Sequence, residues 1–358
     1  MLDLVAGERE RARCRERLER LSESTLDCES IQREAIADLQ RVIGFDRWCW
    51  PFADSETLLP LSGVAEHDFG PKVPRSLELE YSDDHFAAKH VLARRANPAG
   101  SLSAETGGDL ALSGRWDEVM RPAGIGDIAA VACRDALGCW GWIEAYRDGD
   151  DRRFEAGDLE LLASVGPSLG SALRRGLMIA SKSGALGPSP PGVIVLNPDL
   201  SLVSSTAAAR AWIDALPAAA LFASWAMLPA QVYPVATRSR SRNGVKGAHA
   251  LERAIDGRWV MIEAALLEGD GDGQIAVTLR GAAQTETFDL FCRAYAFTKR
   301  ERDVAAAVVA GLDTRALTER LFISRHTVQD HLKSIFQKIG IHSRRELLTS
   351  FNASADGR

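Results

Sequence analysis

The 358-residue chain has no run of about 18 apolar residues, the length a bilayer span needs, so no transmembrane helix and no membrane partner are expected. Its opening stretch, MLDLVAGERERARCRERLER, lacks the apolar centre of a secretory signal, and the expected location is the cytoplasm. Six cysteines, Cys14, Cys28, Cys49, Cys133, Cys139 and Cys292, are scattered without a CxxC pair. That spacing offers no zinc framework and suits a reducing compartment; only Cys133 and Cys139 are placed to meet across a hairpin as a redox pair. Catalytic signatures are missing too. There is no GxxxxGK[ST] phosphate loop, HExxH, GxSxG or GxGxxG, and Gly124 with Gly126 makes only a GxG. Asp83 and Asp84 form an acidic pair, but inside a helical pattern in mid-domain, where a solvated helix start explains them better than a phospho-acceptor site. Neither enzymatic activity nor a metal or resident cofactor is expected.

What the chain does have is length and apolar content, 46% hydrophobic, enough for two or three separate cores. Residues 1–28 read as a charged helical arm with Leu4, Cys14, Leu18 and Leu21 partly at heptad positions and Arg11 and Thr25 interrupting the seam. A dimer-forming arm and a first helix of the next domain both fit. Residues 29–180 turn to mixed α+β. An amphipathic helix carrying Ile31, Ala35, Ile36, Leu39, Val42 and Ile43 stops at Gly44, and FDRWCWPFADSETLLPLSG reads as two strands. Helical stretches YSDDHFAAKHVLARRA and GRWDEVMRPAG follow, then strands over 127–134 and 139–146 and a helix over 156–175 with Leu159, Leu162, Val165 and Leu169 in register.

The strand from Cys139 places Cys139, Gly141, Ile143 and Ala145 on one face and Trp140, Trp142, Glu144 and Tyr146 on the other. Small inward residues leave room for a flat or apolar molecule, which makes Trp48, Trp50, Cys139, Trp140 and Trp142 candidate pocket residues for an unidentified small-molecule ligand. Tryptophan at period two is equally a packing surface under helices. The block GDIAAVACRDALGCWGWIEAYRD, followed by Phe154, Asp158 and a Leu-rich helix, resembles a GAF domain, which implies a sheet with helices on one face around a ligand pocket.

Residues 181–192, SKSGALGPSPPG, read as a linker between two independently folded units. Over 193–281 the order is a hairpin turning at Asn197, Pro198 and Asp199, a helix over 206–216, and a second strand pair in GRWVMIEAALLEG and GQIAVTLRG, which resembles a PAS-type sensor domain. Residues 282–296 read as a second linker and 353–358 as a tail.

Residues 297–352 carry the densest signals. Thr298 with Glu301 is a capping box; Val304, Ala305, Val308 and Val309 then recur at helical spacing until Gly311. Asp313 caps a short helix with Ala316, Leu317 and Leu321, and Phe322 and Ile323 fall in the turn after it. Ser324 caps a helix with Val328, Leu332, Ile335, Phe336 and Ile339 on one face and Arg325, Gln329, Asp330, Lys333 and Gln337 on the other, ended by Gly340. Ser343 with Glu346 opens a last helix that adds Leu347, Leu348 and Phe351. Ten Lys and Arg against six Asp and Glu give residues 297–351 a net charge of +4 in a chain of −6, leaving −10 for the remainder. A polar, cationic helix face on a locally basic module fits a DNA major groove.

These residues resemble the LuxR-type helix-turn-helix regulators, of the actinobacterial type that carries GAF-like and PAS-like domains ahead of the DNA reader. Phe297, Thr298, Arg300 and Glu301 match "LTxRE"; Ile323, Ser324, Thr327, Val328 and His331 match "ISxxTVxxH"; Lys338, Ile339, Gly340, Arg344, Glu346 and Leu347 match "KLGxxxRxEL". The resemblance implies double-stranded DNA as partner, base contacts from Gln329, Asp330 and Lys333, and backbone contacts from Ser324, Arg325, Thr327, Lys338 and Arg344. It also implies a homodimer and contact with RNA polymerase. Thr314, Ala316, Leu317 and Thr318 depart from the usual "NxEIA", and Gln329 beside Asp330 replaces a common Lys, which predicts looser packing and modest affinity. His331 is expected to be structural, at the helix interface. The expected function is a transcriptional regulator whose N-terminal domains modulate DNA binding; the alternative is a non-catalytic sensor acting through protein contact, with DNA binding weak or lost.

Overall fold

The computed structural model describes residues 2–66, 69–81, 86, 88–149, 152–179, 190–240, 247–269 and 273–352, with the side chains of 2–6, 349–350 and 352 outside the description. The acidic pair Asp83 and Asp84, most of the 181–192 linker and the 353–358 tail therefore lie outside the described residues.

The chain begins with α1 (Leu2–Ser22) and α2 (Cys28–Ile43). Asp27 caps α2 by accepting from the Ser30 amide at 3.0 Å, and Gly44 ends it at φ 71°, a left-handed turn that suits glycine. Cys14 and Leu18 are fully buried, and Arg17 of α1 pairs with Asp38 of α2 at 3.0 Å, so the first helix is packed into the domain it precedes.

The first sheet is built from β1 (Arg47–Ala53), β2 (Pro60–Glu66), β3 (Ala99–Ser101), β4 (Ile125–Asp135) and β5 (Gly138–Asp148) in the order β2-β1-β5-β4-β3. Its paired neighbours are antiparallel. Between β2 and β3 come α3 (Val73–Tyr81) and the single turn α4 (Lys89–Leu92); α5 (Leu102–Glu105) follows β3, and α6 (Ala156–Ile179) follows β5. Strand β3 is too short, at three residues, to show a period in the sequence.

The register settles the two faces of β5. Trp48 pairs with Ala145 and Cys49 with Glu144, so Trp48 and Trp50 share the face of Gly141 and Ile143, and Trp142 lies on the other. A register shift opposite Cys133 and Arg134 breaks the alternation before Gly141, so Cys139 clusters with Ala132 and Trp142, and Trp140 donates to Asp135, which also accepts from Ser171 and Arg174 of α6. The small-residue face is filled by α6 rather than open to a ligand. A Cβ on Gly141 would sit 2.7 Å from Leu173 Cδ1, and one on Gly170 would sit 2.7 Å from the Cys133 carbonyl carbon. Glycine is used here for close approach of helix to sheet. Trp48, Trp50, Cys139, Trp140 and Trp142 are all buried packing residues, and the Trp142 indole donates to the Lys89 carbonyl at 3.0 Å. Cys133 and Cys139 are free, buried thiols, not joined to each other, and burial pushes both up, Cys139 to about 12.

The second sheet contains β6 (Gly192–Leu196), β7 (Leu202–Ser205), β8 (His249–Arg253), β9 (Trp259–Leu266) and β10 (Ile275–Gly281) in the order β7-β6-β10-β9-β8. Counted from its own first strand, its order repeats that of the first sheet. Helices α7 (Ala207–Ala215), α8 (Ala219–Ser224) and α9 (Val232–Ser239) lie between β7 and β8; Thr206 caps α7 through the Ala209 amide at 3.2 Å.

Met1–Leu177, Pro190–Ile255 and Val260–Arg280 form one compact unit; Met178–Ser189, Asp256–Trp259 and Gly281–Arg358 form another. Within the first, the two sheets share a core: Leu59, Leu61 and Tyr81 cluster with Ile194, Leu196, Trp212 and Tyr233. Glu252 of β8 accepts from the Ser62 amide of β2 at 2.7 Å and from its hydroxyl at 3.0 Å, and Asp54 accepts from the Leu251 amide at 2.9 Å. Two independently folded units were expected here; the apolar and hydrogen-bonded seam joins them.

In the second unit, α10 (Gln284–Ala294) occupies the stretch read as a linker. Its Phe288 and Phe291 pack on Phe351, with ring centroids 5.1 and 4.2 Å away, which orders the segment as a helix.

Candidate nucleic-acid interface

Four further helices follow: α11 (Lys299–Val309), α12 (Thr314–Leu321), α13 (Arg325–Ile339) and α14 (Arg344–Asn352). Each starts where a side chain satisfies an orphan amide. Thr298 accepts from the Glu301 amide at 3.2 Å, Asp313 from Ala316 at 2.8 Å, Ser324 from Thr327 at 3.1 Å and Ser343 from Glu346 at 3.1 Å. The turn from α12 to α13 is only Phe322, Ile323 and Ser324, with Phe322 left-handed at φ 53° and 93% exposed. Val304, Ala305, Val308, Leu317, Val328, Ile335, Leu347 and Phe351 close one core, which holds the short α12 against α13.

Burying Val328 and Ile335 fixes which face of α13 meets solvent. Arg325, His326, Gln329, Asp330, Lys333 and Gln337 are exposed along it, at the i, i+4 spacing of one helical stripe. Fifteen residues rise about 22 Å, enough to lie along a groove. Among the described residues neither Arg325 nor Lys333 makes an ion pair, so both cations face outward. Asp330 is engaged: its carboxylate lies 2.8 Å from Nδ1 of His326, one turn earlier, and both side chains are exposed. Sequence reading passed over His326, although its i, i+4 spacing to Asp330 was the available signal.

Ser324 is exposed and Thr327 half-buried; their hydroxyls lie 2.9 Å apart at the start of α13, beside the helix N-terminus. Arg344 is half-buried at the start of α14. Lys338 is placed differently from the expected backbone contact. Its ammonium is turned inward, 2.6 Å from Glu301 Oε2 and 2.8 Å from the Ala296 carbonyl. Glu301 also accepts from the Ser334 hydroxyl and the Thr298 amide, each at 2.6 Å. Burial by itself would raise the Glu301 carboxyl, but hydrogen bonds from Lys338, Ser334 and Thr298 outweigh it and hold the group down to about 2. One side chain thus caps α11 and ties it to α13. A tie between positions 37 apart has no local signature in the sequence.

Residues 295–351 match the family described as bacterial regulatory proteins, luxR family. The chain ends in a LuxR-family helix-turn-helix domain. Relatives of this LuxR-family domain include a Mycobacterium tuberculosis protein named as an HTH-type transcriptional regulator, 43% identical over 51 residues, and one from Aeromonas salmonicida with the same kind of name, 43% identical over 54. The spore germination protein GerE of Bacillus subtilis is 39% identical over 49 residues. These alignments cover 14%, 15% and 14% of this chain, and 6%, 28% and 66% of the relatives respectively. Each of these likenesses thus spans about a seventh of this chain.

Proposed function

We propose that this protein is a sequence-specific DNA-binding transcriptional regulator, non-catalytic, in which the two-sheet N-terminal unit modulates DNA binding by the LuxR-family domain. The observation that carries the reading is α13, which buries Val328 and Ile335 while presenting Arg325, Gln329 and Lys333 unpaired on its outer face. Gln329 and Lys333 read base edges, Asp330 accepts from a cytosine amino group, and Ser324, Arg325, Thr327 and Arg344 hold phosphates. The names carried by the relatives point the same way.

The N-terminal unit is read as a GAF-like domain followed by a PAS-like domain. Support comes from the strand order shared by the two sheets and from the helices set between their second and third strands. Acting as a cytoplasmic homodimer that recruits RNA polymerase, the protein would place two α13 helices in successive major grooves. Selection of bound duplexes from random DNA by the full-length protein tests this directly. Recovered sites should be repeats with half-sites about 10 base pairs apart. A pool with no enriched sequence would refute sequence-specific recognition.

A further inference from the structure

The first unit contains a cavity of about 450 Å³, within the size range of small-molecule sites. It lies on the Cys49, Glu144 and Tyr146 face of the first sheet, along the edge strand β2, and is walled opposite by α8 and the residues around it. Tyr146 is two positions beyond Glu144 and four beyond Trp142 on the same face of β5, so of the row noticed in the sequence Glu144 and Tyr146 line the cavity and Trp142 does not. Its walls are largely apolar and ring-bearing, with Phe69, Phe222 and Trp225 among them; the charged residues there, Glu29 and Arg33, are exposed and paired with each other at 2.8 Å.

Its floor is a cluster of buried ions. Glu144 accepts from Arg115 Nη1 at 2.5 Å and Nη2 at 3.0 Å, from Lys89 at 2.9 Å and from the Tyr146 hydroxyl at 2.7 Å. Lys89 also pairs with Glu80 at 2.7 Å, and Arg115 Nε donates to the Ser76 hydroxyl at 3.0 Å. Two carboxylates against two cations give the floor a formal charge of zero. Burial opposes ionisation of Glu144, yet Arg115 and Lys89 outweigh it and hold the carboxyl well below its usual range. Burial, and then the Glu144 charge, push the Cys49 thiol up to about 12, so it too is neutral. A charged ligand entering here would lose its hydration and find no uncompensated opposite charge to replace it. An uncharged molecule loses little and gains the apolar walls.

We propose that this cavity binds an uncharged, ring-containing small molecule, its rings against Phe69, Phe222 and Trp225 and a hydroxyl or carbonyl toward Ser76, Arg115 and Tyr146. The inference rests on the sensor reading given above and supplies its ligand class. Because residues of both sheet regions line the cavity, such a ligand bridges them.

The test uses N-phenylnaphthylamine, an uncharged fluorophore, and its sulfonated counterpart anilinonaphthalene sulfonate, each titrated into full-length protein without DNA. The uncharged probe should bind one-to-one, more tightly than the sulfonate, and weaken about tenfold in both Ala65→Trp, whose position pairs with Cys49 on the cavity face, and Leu221→Trp, which fill the cavity from opposite walls at exposed positions. Equal or tighter binding of the sulfonate at the same site overturns the ligand class. No binding of either probe, or binding indifferent to both substitutions, overturns the site. DNA affinity is measured separately on the same preparation. DNA binding without probe binding defeats only this inference, whereas probe binding whose presence leaves DNA affinity unchanged upholds the site and defeats the sensor reading.

Discussion

Glu301 and Lys338 meet at 2.6 Å, joining the first turn of α11 to the last turn of α13. The carboxylate is 5% exposed and its partner 30%, so the pair is partly shielded from water and stronger than an ordinary surface bridge. Glu301→Gln should cost the C-terminal domain about 1–2 kcal/mol, read as faster hydrogen exchange in α13 of the full-length protein. Because the folded carboxyl is held below its unfolded value, the stabilisation is complete above about pH 4.5 and is lost as pH falls toward 2. Unchanged exchange in the variant would mean that the helices are held by the apolar core alone.

Lys333 and Gln329 point outward from the same face of α13 and should fail in different ways. Lys333→Ala should weaken binding to every duplex and lower the salt slope by about 1. Gln329→Ala should relax base preference at one position, by about 1–3 kcal/mol, with little change in the salt slope. Both are read by quantitative mobility shift at several salt concentrations; indistinguishable profiles would remove the division between base and phosphate contact.

Asp330 brings a negative charge to a surface assigned to phosphate-rich DNA, with Nδ1 of His326 2.8 Å from its carboxylate. Asp330→Asn should raise affinity for non-specific duplex about threefold to tenfold, with the gain shrinking at high salt. On selected sites the same substitution should lower affinity, because the carboxylate accepts from a cytosine amino group there; an equal rise on selected and non-specific duplexes would contradict that contact.

Much of the C-terminal domain was legible because its information is local. Thr298, Asp313, Ser324 and Ser343 each sit at a helix start where a short polar side chain satisfies an amide, and Gly311 and Gly340 adopt positive φ where helices stop. Long-range ties were not legible. Lys338 looked like a phosphate contact until Glu301 was placed beside it, and residues 282–296 looked like a linker until Phe288 and Phe291 met Phe351. Period two placed Trp142, Glu144 and Tyr146 on one face, as the register has them, but could not show the register shift before Gly141 that takes Trp140 out of that row. It gave no indication of how far along that face the cavity lies, which depends on α8 arriving from sequence more than 70 residues away.

Glu252 ties the two sheets through Ser62, and burial, against hydrogen bonds from Ser62 and Arg253, raises its carboxyl. A raised acid contributes most when protonated, so its contribution is present at low pH and declines as pH rises through the folded value. Wild type should therefore lose stability relative to Glu252→Gln, whose side chain does not titrate, as pH rises above the ordinary carboxylate value of 4.5. Urea denaturation of both proteins across that range checks the sign; a difference that grows with pH in favour of wild type would contradict it.

DNA recognition by α13 is tested most directly by the affinity of the full-length protein for its selected duplex and for a scrambled one, each titrated with salt. A reader built on Arg325, Gln329 and Lys333 shows log affinity falling linearly with log salt on both duplexes, and a selected-site advantage of about 1,000-fold or more at physiological salt. Affinity that is indifferent to salt and equal for the two duplexes would contradict DNA recognition by this domain.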